Sequence, residues 1–257
     1  MTFGELSKFG YLFTKLCGDT ILPAIKIDGN TIPLSYDTRL LKLLETDKGV
    51  WAIVALLLCG VFAYLIGSLN FAVIFSKIFF KEDIRKYGSG NAGATNMVRT
   101  YGRKWGVITF IFDGLKAAFS VILSMLLMGE GGAYIAALFA ILGHVFPIYY
   151  KFKGGKGVVV SAISILCLNP VVFLILVVIF VSIVATSKYI SLGSVICAFF
   201  YPMLLNAFNS DKGFLATVIS ILISVIVIVM HKENIKRLLN RTENKIGQKA
   251  KKSEGQN

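Results

Sequence analysis

The stretch VWAIVALLLCGVFAYLIGSLNFAVIFSKIFF, from Val50 to Phe80, is almost entirely apolar and is long enough to cross a membrane as a helix. Such a crossing takes about 20 apolar residues for roughly 30 Å of hydrocarbon. Three more stretches fit this requirement: Trp105–Met128, Ala133–Tyr150 and Gly213–Met230. Hydrophobic residues make up 56% of the 257 residues and charged residues only 16%. We therefore predict an all-α integral membrane protein.

The apolar sequence between Gly157 and Asn206 is too long for two crossings. It is interrupted at Asn169-Pro170 and again between Ser187 and Ser191, which predicts three shorter helices. The shortest of them covers Val158–Leu168. The total is seven transmembrane helices.

Basic residues are concentrated in alternate loops, which sets the orientation by the positive-inside rule. The loops between the other helices are nearly free of them, with Glu130 in one and Asp211-Lys212 in another. Eight Lys or Arg residues follow from Lys232 onward, and the earlier basic loops contain Lys81, Arg85, Lys86, Arg99, Arg103, Lys104, Lys151, Lys153, Lys156 and Lys188. We predict an extracytoplasmic N-terminus and a cytoplasmic C-terminus. The net charge of +13 then describes a basic cytoplasmic face, not a nucleic-acid-binding protein.

Three regions follow from this pattern. Residues 1–49 form an extracytoplasmic extension, in which the alternation around Asp28-Gly29 fits either a small hairpin or a loose arm. Residues 50–231 form the membrane domain, and residues 232–257 form a basic cytoplasmic tail that frays after Glu243 and rests on anionic lipid. The four cysteines are scattered singly, which indicates neither a disulfide framework nor a zinc site.

The loop GSGNAGATN, from Gly88 to Asn96, is rich in glycine and in hydroxyl and amide donors, and Arg99 follows it. Its GxGxxG spacing lies between membrane helices without a βαβ unit, which excludes a dinucleotide fold. Such a loop either cradles an oxyanion or is an ordinary turn between helices. The residues proposed here as anion ligands are Ser89, Gly90, Asn91, Thr95, Asn96 and Arg99.

A second loop, FKGGKG from Phe152 to Gly157, offers two glycine amides and nearby lysines, without the spacing of a Walker A loop. Gly154, Gly155 and Lys156 are the anion-binding candidates, whereas Lys151 is interpreted as a membrane-interface anchor.

A third segment, HKENIKRLL from His231 to Leu239, places His231 and Asn234 on one helical face at the end of the last span. Asn234 can donate to an anion, and His231 can donate or act as a base. His144 is treated as structural. Asp113 and Lys116, at i, i+3 within an apolar span, either neutralise one another or support the anion site.

These segments together resemble the bacterial acyl-phosphate-dependent glycerol-3-phosphate acyltransferases, the PlsY family. The first loop with Arg99 is similar to that family's first motif, GHVFPIYYKFKGGKG at Gly143–Gly157 to its second and HKENIKRLL to its third. The order and spacing agree from about Trp51 to Lys245. The chain departs from the family in its N-terminal extension, in Asn70 at a position where proline is common and in Ala117 where glycine often follows the lysine.

The resemblance implies attack of the 1-hydroxyl of glycerol 3-phosphate on a fatty acyl phosphate, giving lysophosphatidic acid and phosphate without a covalent acyl-enzyme. It implies a multi-pass protein of the bacterial plasma membrane with a cytoplasmic active site, no cofactor or metal, no nucleic acid and no obligate protein partner. Its expected partners are the two substrates and membrane lipid. The residues it carries over as phosphate ligands are Ser89, Thr95, Asn96, Arg99, Gly155, Lys156, Ser191, His231 and Asn234. Arg99, Lys156 and His231 are the catalytic candidates among them.

Two other functions are also compatible with a basic, polytopic membrane protein. A transporter for a phosphorylated solute would also use interrupted helices and buried charges, but the two halves of the sequence show no corresponding segments and the candidates lie at one membrane face. A non-enzymatic membrane subunit with a basic docking face leaves the glycine-rich segments unexplained.

Overall fold

The structure is a computed structural model that describes residues 26–27, 30–31, 49–208 and 213–247. The first two pairs form a minimal antiparallel ladder, β1 (Lys26–Ile27) with β2 (Asn30–Thr31), in which Lys26 is opposite Thr31. The rest of the N-terminal extension and the residues after Gly247 lie outside the described residues, as does the Asp211-Lys212 loop.

The remaining described residues are helical apart from their connections. The α-helices are α1 (Gly49–Gly67), α2 (Phe71–Phe80), α3 (Ala94–Tyr101), α4 (Arg103–Val145), α5 (Val158–Leu168), α6 (Pro170–Ser187), α7 (Ile190–Phe208), α8 (Phe214–Met230) and α9 (Lys232–Leu239). Short 3-10 turns cover Ile84–Lys86 and Ile148–Tyr150. This is the all-α architecture that the apolar stretches predict.

Helix α4 is a helical hairpin and not a single rod. Gly129 has φ 70° and ψ −161°, which breaks the helix at a residue that tolerates this conformation. Lys116 Nζ and His144 Nδ1 are 3.0 Å apart although 28 residues separate them. A straight helix would place them about 42 Å apart. Residues 103–128 and 130–145 are therefore antiparallel neighbours.

The first apolar stretch is also divided. Helix α1 ends at Gly67, and Asn70 starts α2 because its side chain accepts a hydrogen bond from the Val73 amide at 3.1 Å. The Asn70 amide group also donates to the Ala92 carbonyl at 3.1 Å, which fastens the glycine-rich loop to this break. The residue that departs from the family pattern thus has a defined role here.

Small residues allow the helices to approach closely. A Cβ on Gly67 would lie 2.3 Å from the Ala140 carbonyl oxygen, and one on Gly143 would lie 2.2 Å from that of Tyr64. These contacts pack α1 against residues 130–145, and buried alanines at 133, 136 and 137 continue the interface. Close contact through small side chains is typical of helices that associate in lipid.

The outer surface is apolar. Large hydrophobic side chains are exposed on several helices, among them Leu57, Leu127, Val178, Phe199 and Val225. A surface of this kind is stable against hydrocarbon and not against water. The chain is therefore a multi-pass membrane protein.

Four helical stretches among the described residues are long and apolar enough to cross a membrane, or five if the bent pair α8–α9 counts as one span. That count treats the α4 hairpin as one stretch. The 11 residues of α5 extend only about 16 Å, too short for a crossing. Each of the seven apolar segments corresponds to a helical segment, and the number of crossings stays a prediction.

Candidate active site

The glycine-rich loop is organised around the buried side chain of Asn96. Its Oδ1 accepts a hydrogen bond from the Ser89 amide at 2.9 Å, and its Nδ2 lies within 3.3 Å of the carbonyl oxygens of Ile84, Tyr87 and Asn91. Gly88 has φ +58°, and a Cβ there would lie 2.2 Å from Asn96 Oδ1. Asn96 thus builds the loop and also lines the cavity, and its role as a direct phosphate ligand stays a prediction.

The loop presents other groups to a cavity. Ser89, Asn91 and Thr95 line it, and Arg99 follows one turn later on α3. Burial lowers the pKa of Arg99, while the nearby carboxylate of Glu243 opposes this shift. Gly90 does not line the cavity; it has φ +72° and its amide donates to the Tyr87 carbonyl at 3.0 Å, so it shapes the turn.

The second loop is held against the end of α4. The amides of Gly154 and Gly155 donate to the carbonyl oxygens of Val145 and His144, each at 3.1 Å. A Cβ on either glycine would lie within 2.1 Å of His144 atoms. The sequence predicts that these amides face an anion, whereas in the structure both donate to backbone carbonyls and close the loop.

Lys156 is the side chain that this loop presents to the cavity. Its ammonium group donates to Asn234 Oδ1. Burial, followed by the charge of Arg237, lowers the pKa of Lys156 to about 8. Lys151 is exposed and does not line the cavity, in keeping with an anchoring role.

The third segment begins where α8 bends by 56° into α9. His231 lies at this bend, is 3% exposed, and its Nδ1 is 2.7 Å from the Val227 carbonyl oxygen. Because a carbonyl can only accept, Nδ1 carries the proton and Nε2 is left as an acceptor in the neutral ring. Asn234 lies one turn further on and is also buried.

Glu243, the last residue before the part of the tail that is expected to fray, lies inside the site. Its Oε1 accepts hydrogen bonds from Ser191 Oγ at 2.9 Å and Asn234 Nδ2 at 2.6 Å, and its Oε2 from Arg237 Nε at 2.7 Å. Burial opposes ionisation, but these donors hold the pKa of Glu243 below its ordinary value. The tail is therefore ordered through Gly247, and the Ile246 amide donates to the Lys188 carbonyl at 2.8 Å.

Arg237 was also missed, although its position three residues after Asn234 places it on the same helical face. That spacing was a usable signal. For Glu243 the sequence carried none, because a single carboxylate among basic tail residues does not indicate which cations it meets.

Asp113 and Lys116 form a buried cluster with His144. Lys116 Nζ lies 2.9 Å from Asp113 Oδ1 and 3.0 Å from His144 Nδ1, and it donates to the Leu69 carbonyl at 2.6 Å. Asp113 and His144 line the cavity, whereas Lys116 does not. The ion pair thus joins α4 to the α1–α2 break beneath the site.

All three segments and Ser191 meet in one cavity of about 510 Å³. One part of it is polar and basic, with Arg99, Lys156 and Arg237. The other part is apolar, formed by Val107, Phe110, Val158, Val159, Phe180 and Ile190. A cavity that joins cations to an apolar groove accommodates an amphiphile with an anionic group.

Fold and cavity define a multi-pass membrane protein whose cavity joins cationic side chains to an apolar groove. The chain matches the family described as glycerol-3-phosphate acyltransferase over residues 57–241. It is 44% identical to glycerol-3-phosphate acyltransferase 2 of Bacillus anthracis over 189 residues, which cover 72% of this chain and 96% of the relative. Identity to the glycerol-3-phosphate acyltransferase of Thermoanaerobacter sp. (strain X514) is 42%, covering 75% and 96%.

Two solved structures are similar to this one. They are crystal structures of PlsY, an integral membrane glycerol 3-phosphate acyltransferase, in its glycerol 3-phosphate form and its lysophosphatidic acid form. The TM-scores are 0.71 and 0.68 and the identities 32% and 31%; each match covers 75% of this chain, and 96% and 95% of the respective PlsY chains. The chain therefore belongs to the glycerol-3-phosphate acyltransferase family and is an acyltransferase. The resemblance stated from the three motifs is confirmed.

Proposed function

We propose that this enzyme transfers a fatty acyl group from a fatty acyl phosphate to the 1-hydroxyl of sn-glycerol 3-phosphate. The products are 1-acyl-glycerol 3-phosphate and inorganic phosphate, and the reaction begins phospholipid synthesis. The observation that carries this proposal is the cavity that joins four cationic side chains, those of Arg99, Lys156, Arg237 and Lys245, to an apolar groove. A fatty acyl phosphate has the matching parts, an anionic head and an apolar chain.

The cations suit two phosphate groups. Arg99, Lys156, Arg237 and Lys245 line the cavity together with the carboxylates of Glu243 and Asp113. Asp113 is already paired with Lys116, which leaves Glu243 as the carboxylate facing these cations. The positive charge that Glu243 leaves uncompensated attracts anionic substrates, and Ser89, Thr95 and Asn91 add polar atoms to the cavity lining. PlsY has been captured in a glycerol 3-phosphate form and a lysophosphatidic acid form, which supports the same acceptor and product for this chain.

The reaction needs alignment and charge neutralisation more than a protein nucleophile. The oxygen of the 1-hydroxyl attacks the acyl carbon, an ester bond forms, and the bond from that carbon to the phosphate oxygen breaks with its electron pair leaving on phosphate. Phosphate is a good leaving group in a mixed anhydride, and preorganised cations stabilise the charge that it gains. No covalent acyl-enzyme is required.

The hydroxyl proton goes to the donor's own phosphate, whose second pKa is near 6 by analogy with phosphorylated side chains. The other candidate base is His231, because Nδ1 is occupied by the Val227 carbonyl and Nε2 is left as an acceptor. A His231→Ala enzyme separates the two. It should retain measurable turnover if phosphate is the base, whereas normal glycerol 3-phosphate binding with complete loss of turnover would assign the base to His231.

The proposed location is the bacterial plasma membrane, with the active site at the cytoplasmic face, where soluble glycerol 3-phosphate is available and the basic loops lie. No cofactor or obligate protein partner is part of the proposal.

Purified enzyme supplied with palmitoyl phosphate and glycerol 3-phosphate should release phosphate and form lysophosphatidic acid in equal amounts. The donor class is identified by replacing palmitoyl phosphate with palmitoyl coenzyme A or with palmitoyl-acyl carrier protein. Turnover with either thioester and none with palmitoyl phosphate would overturn the donor assignment. Uptake of glycerol 3-phosphate into proteoliposomes without chemistry would indicate a transporter.

A further inference from the structure

The buried cluster of Asp113, Lys116 and His144 fixes the protonation of a histidine that the proposed reaction does not yet use. Lys116 Nζ donates to the Leu69 carbonyl at 2.6 Å, lies 3.0 Å from His144 Nδ1 and forms an ion pair with Asp113 Oδ1 at 2.9 Å. An ammonium group carries three protons and no lone pair. Nδ1 of His144 must therefore accept, and the neutral ring carries its proton on Nε2.

The alternative arrangement is excluded by distance. A proton on Nδ1 would need Asp113 as its acceptor, but Asp113 Oδ1 is 3.6 Å from Nδ1. That separation is too long for a hydrogen bond. It would also leave the Lys116 ammonium facing an N–H group at 3.0 Å.

Among the residues that the structure describes, the only His144 ring nitrogen with a hydrogen-bond partner is Nδ1, and Nε2 is not one of the fully buried polar atoms. The ring is 4% exposed and lines the cavity. An N–H group at the surface of a cavity is free to donate to a ligand atom bound there. Gly155 lies against the same edge of the ring, since a Cβ there would be 2.1 Å from Nε2.

The position of His144 is between the two parts of the cavity. Lys156, a cation of the polar part, follows Gly155 directly, and Phe110 of the apolar groove is one helical turn before Asp113. An acyl phosphate bound across the cavity has its carbonyl group at this junction, between the phosphate and the chain.

We propose that His144 is a catalytic residue whose Nε2–H donates a hydrogen bond to the acyl carbonyl oxygen as negative charge develops on it, with Lys116 and Asp113 holding the required tautomer. This inference rests on the proposed function. No proton is transferred by His144; it acts only as a donor. The cluster is neutral overall, so it adds a directed dipole in a water-poor site, where such donors are most effective.

Two substitutions separate this role from a structural one. In His144→Gln the amide nitrogen approximates Nε2 and keeps the donor, while the contact with Lys116 is lost. In His144→Asn the amide oxygen approximates Nδ1 and keeps the contact with Lys116, while the donor is lost. We expect His144→Asn to lower kcat about 100-fold or more with the KM for glycerol 3-phosphate nearly unchanged, and His144→Gln to stay within about 10-fold of wild type.

The measurements are steady-state kinetics with palmitoyl phosphate and thermal unfolding of each purified variant. An active His144→Asn enzyme beside an inactive or unfolded His144→Gln enzyme would overturn the inference and leave a structural role. If His144→Asn does not fold, His144→Gln decides: near-normal kcat supports the donor role, and a loss of about 100-fold contradicts it. A wild-type enzyme without acyl transfer would instead refute the proposed function itself.

Discussion

Lys156 shows how the environment of a single residue sets its chemistry. Its ammonium is largely buried, lies near the positive charges of Arg99 and Arg237, and has Glu243 as the opposing charge. Burial and the neighbouring cations lower its pKa to about 8. One carboxylate does not balance the charges of Lys156, Arg99 and Arg237, so this density of cations is suited to binding a phosphate.

This pKa predicts the alkaline limit of the reaction. Below about pH 8 Lys156 is protonated and attracts phosphate; above it the free enzyme loses that charge, so kcat/KM for glycerol 3-phosphate should fall as pH rises from 8 to 10. In Lys156→Arg the side chain keeps its charge through this range, and the fall should disappear. A pH profile of kcat/KM for both enzymes checks this. If kcat/KM of the arginine variant falls over the same pH range as that of the wild type, the titrating group is not Lys156.

Removing the cations altogether should be severe. Lys156→Ala and Arg99→Ala are expected to lower kcat/KM by about 100-fold or more, because each removes a charge-assisted contact to phosphate from a site shielded from water. Lys151→Ala is the matched control, since Lys151 is exposed outside the cavity, and it should stay within about twofold. Membrane insertion of all three, judged by yield in the membrane fraction, should be normal. Near-normal turnover of either site variant would remove that residue from the site.

At the scale of the residue, the sequence predicts which segments meet, but not which polar groups face the cavity and which bond to the protein's own backbone. Residue types and positive φ preferences indicated an anion loop, and Ser89, Arg99, Lys156 and Asn234 do share one cavity. The same donors, however, can satisfy the protein's own carbonyl groups. Asn96 and the amides of Gly154 and Gly155 do so, and only three-dimensional geometry distinguishes the two uses.

The segment from Asn240 to Gly247 is the element whose role is least predictable from the sequence, which indicates only a basic tail. It has no apolar periodicity, yet residues 243–247 line the site. Glu243 accepts hydrogen bonds from Ser191, Asn234 and Arg237, and the Ile246 amide donates to the Lys188 carbonyl. Asn234 accepts from Lys156 with its oxygen and donates to Glu243 with its nitrogen. Glu243 therefore fixes the orientation of the amide that holds Lys156.

Two truncations test the contribution of this segment. Ending the chain after Gly247 removes none of these contacts and should leave kcat/KM within about twofold. Ending it after Asn240 removes Glu243 and should lower kcat/KM about tenfold or more, because hydrogen bonds to charged groups contribute about 1.5–3 kcal/mol each. Glu243→Ala in the full chain should reproduce the loss. Equal activity of the two truncated enzymes would show that the segment merely lies over the site.

The helical elements were easier to predict than their breaks. Apolar length, together with the interruptions at Asn169-Pro170 and between Ser187 and Ser191, locates α5 through α8. Asn169 marks a boundary because it caps α6 by accepting a hydrogen bond from the Val172 amide at 3.0 Å. The division of the first stretch at Asn70 was not predicted. Its cause is a capping bond together with a contact to the Ala92 carbonyl 22 residues away, which local sequence does not reveal.

At the scale of the whole molecule, the main consequence of the fold is that successive helical hairpins bring the chain back to the end of the bundle where the cavity lies. Residues 103–128 and 130–145 form one hairpin, α5 and α6 a second, and α7 and α8 a third. The contacts of Lys188 and Ser191 with the tail show that the second hairpin also returns to the level of the site. Each hairpin thus begins and ends near the cavity, which allows segments separated by more than 100 residues to form one site.

This arrangement predicts a single accessible side for all the basic segments. In a cysteine-free background, single cysteines introduced as Lys86→Cys, Lys151→Cys and Lys232→Cys should be protected from an impermeant thiol reagent in intact cells and labelled after lysis, because the positive-inside rule places them in the cytoplasm. Gly131→Cys, next to the α4 break, should show the opposite pattern. If all four cysteines showed the opposite labelling pattern, the orientation of the protein would be inverted, but the three segments would still lie on one side of the membrane. Labelling of Lys86→Cys and Lys232→Cys from opposite sides would be incompatible with a cavity that Ser89 and His231 share, and the proposed function would fall with it.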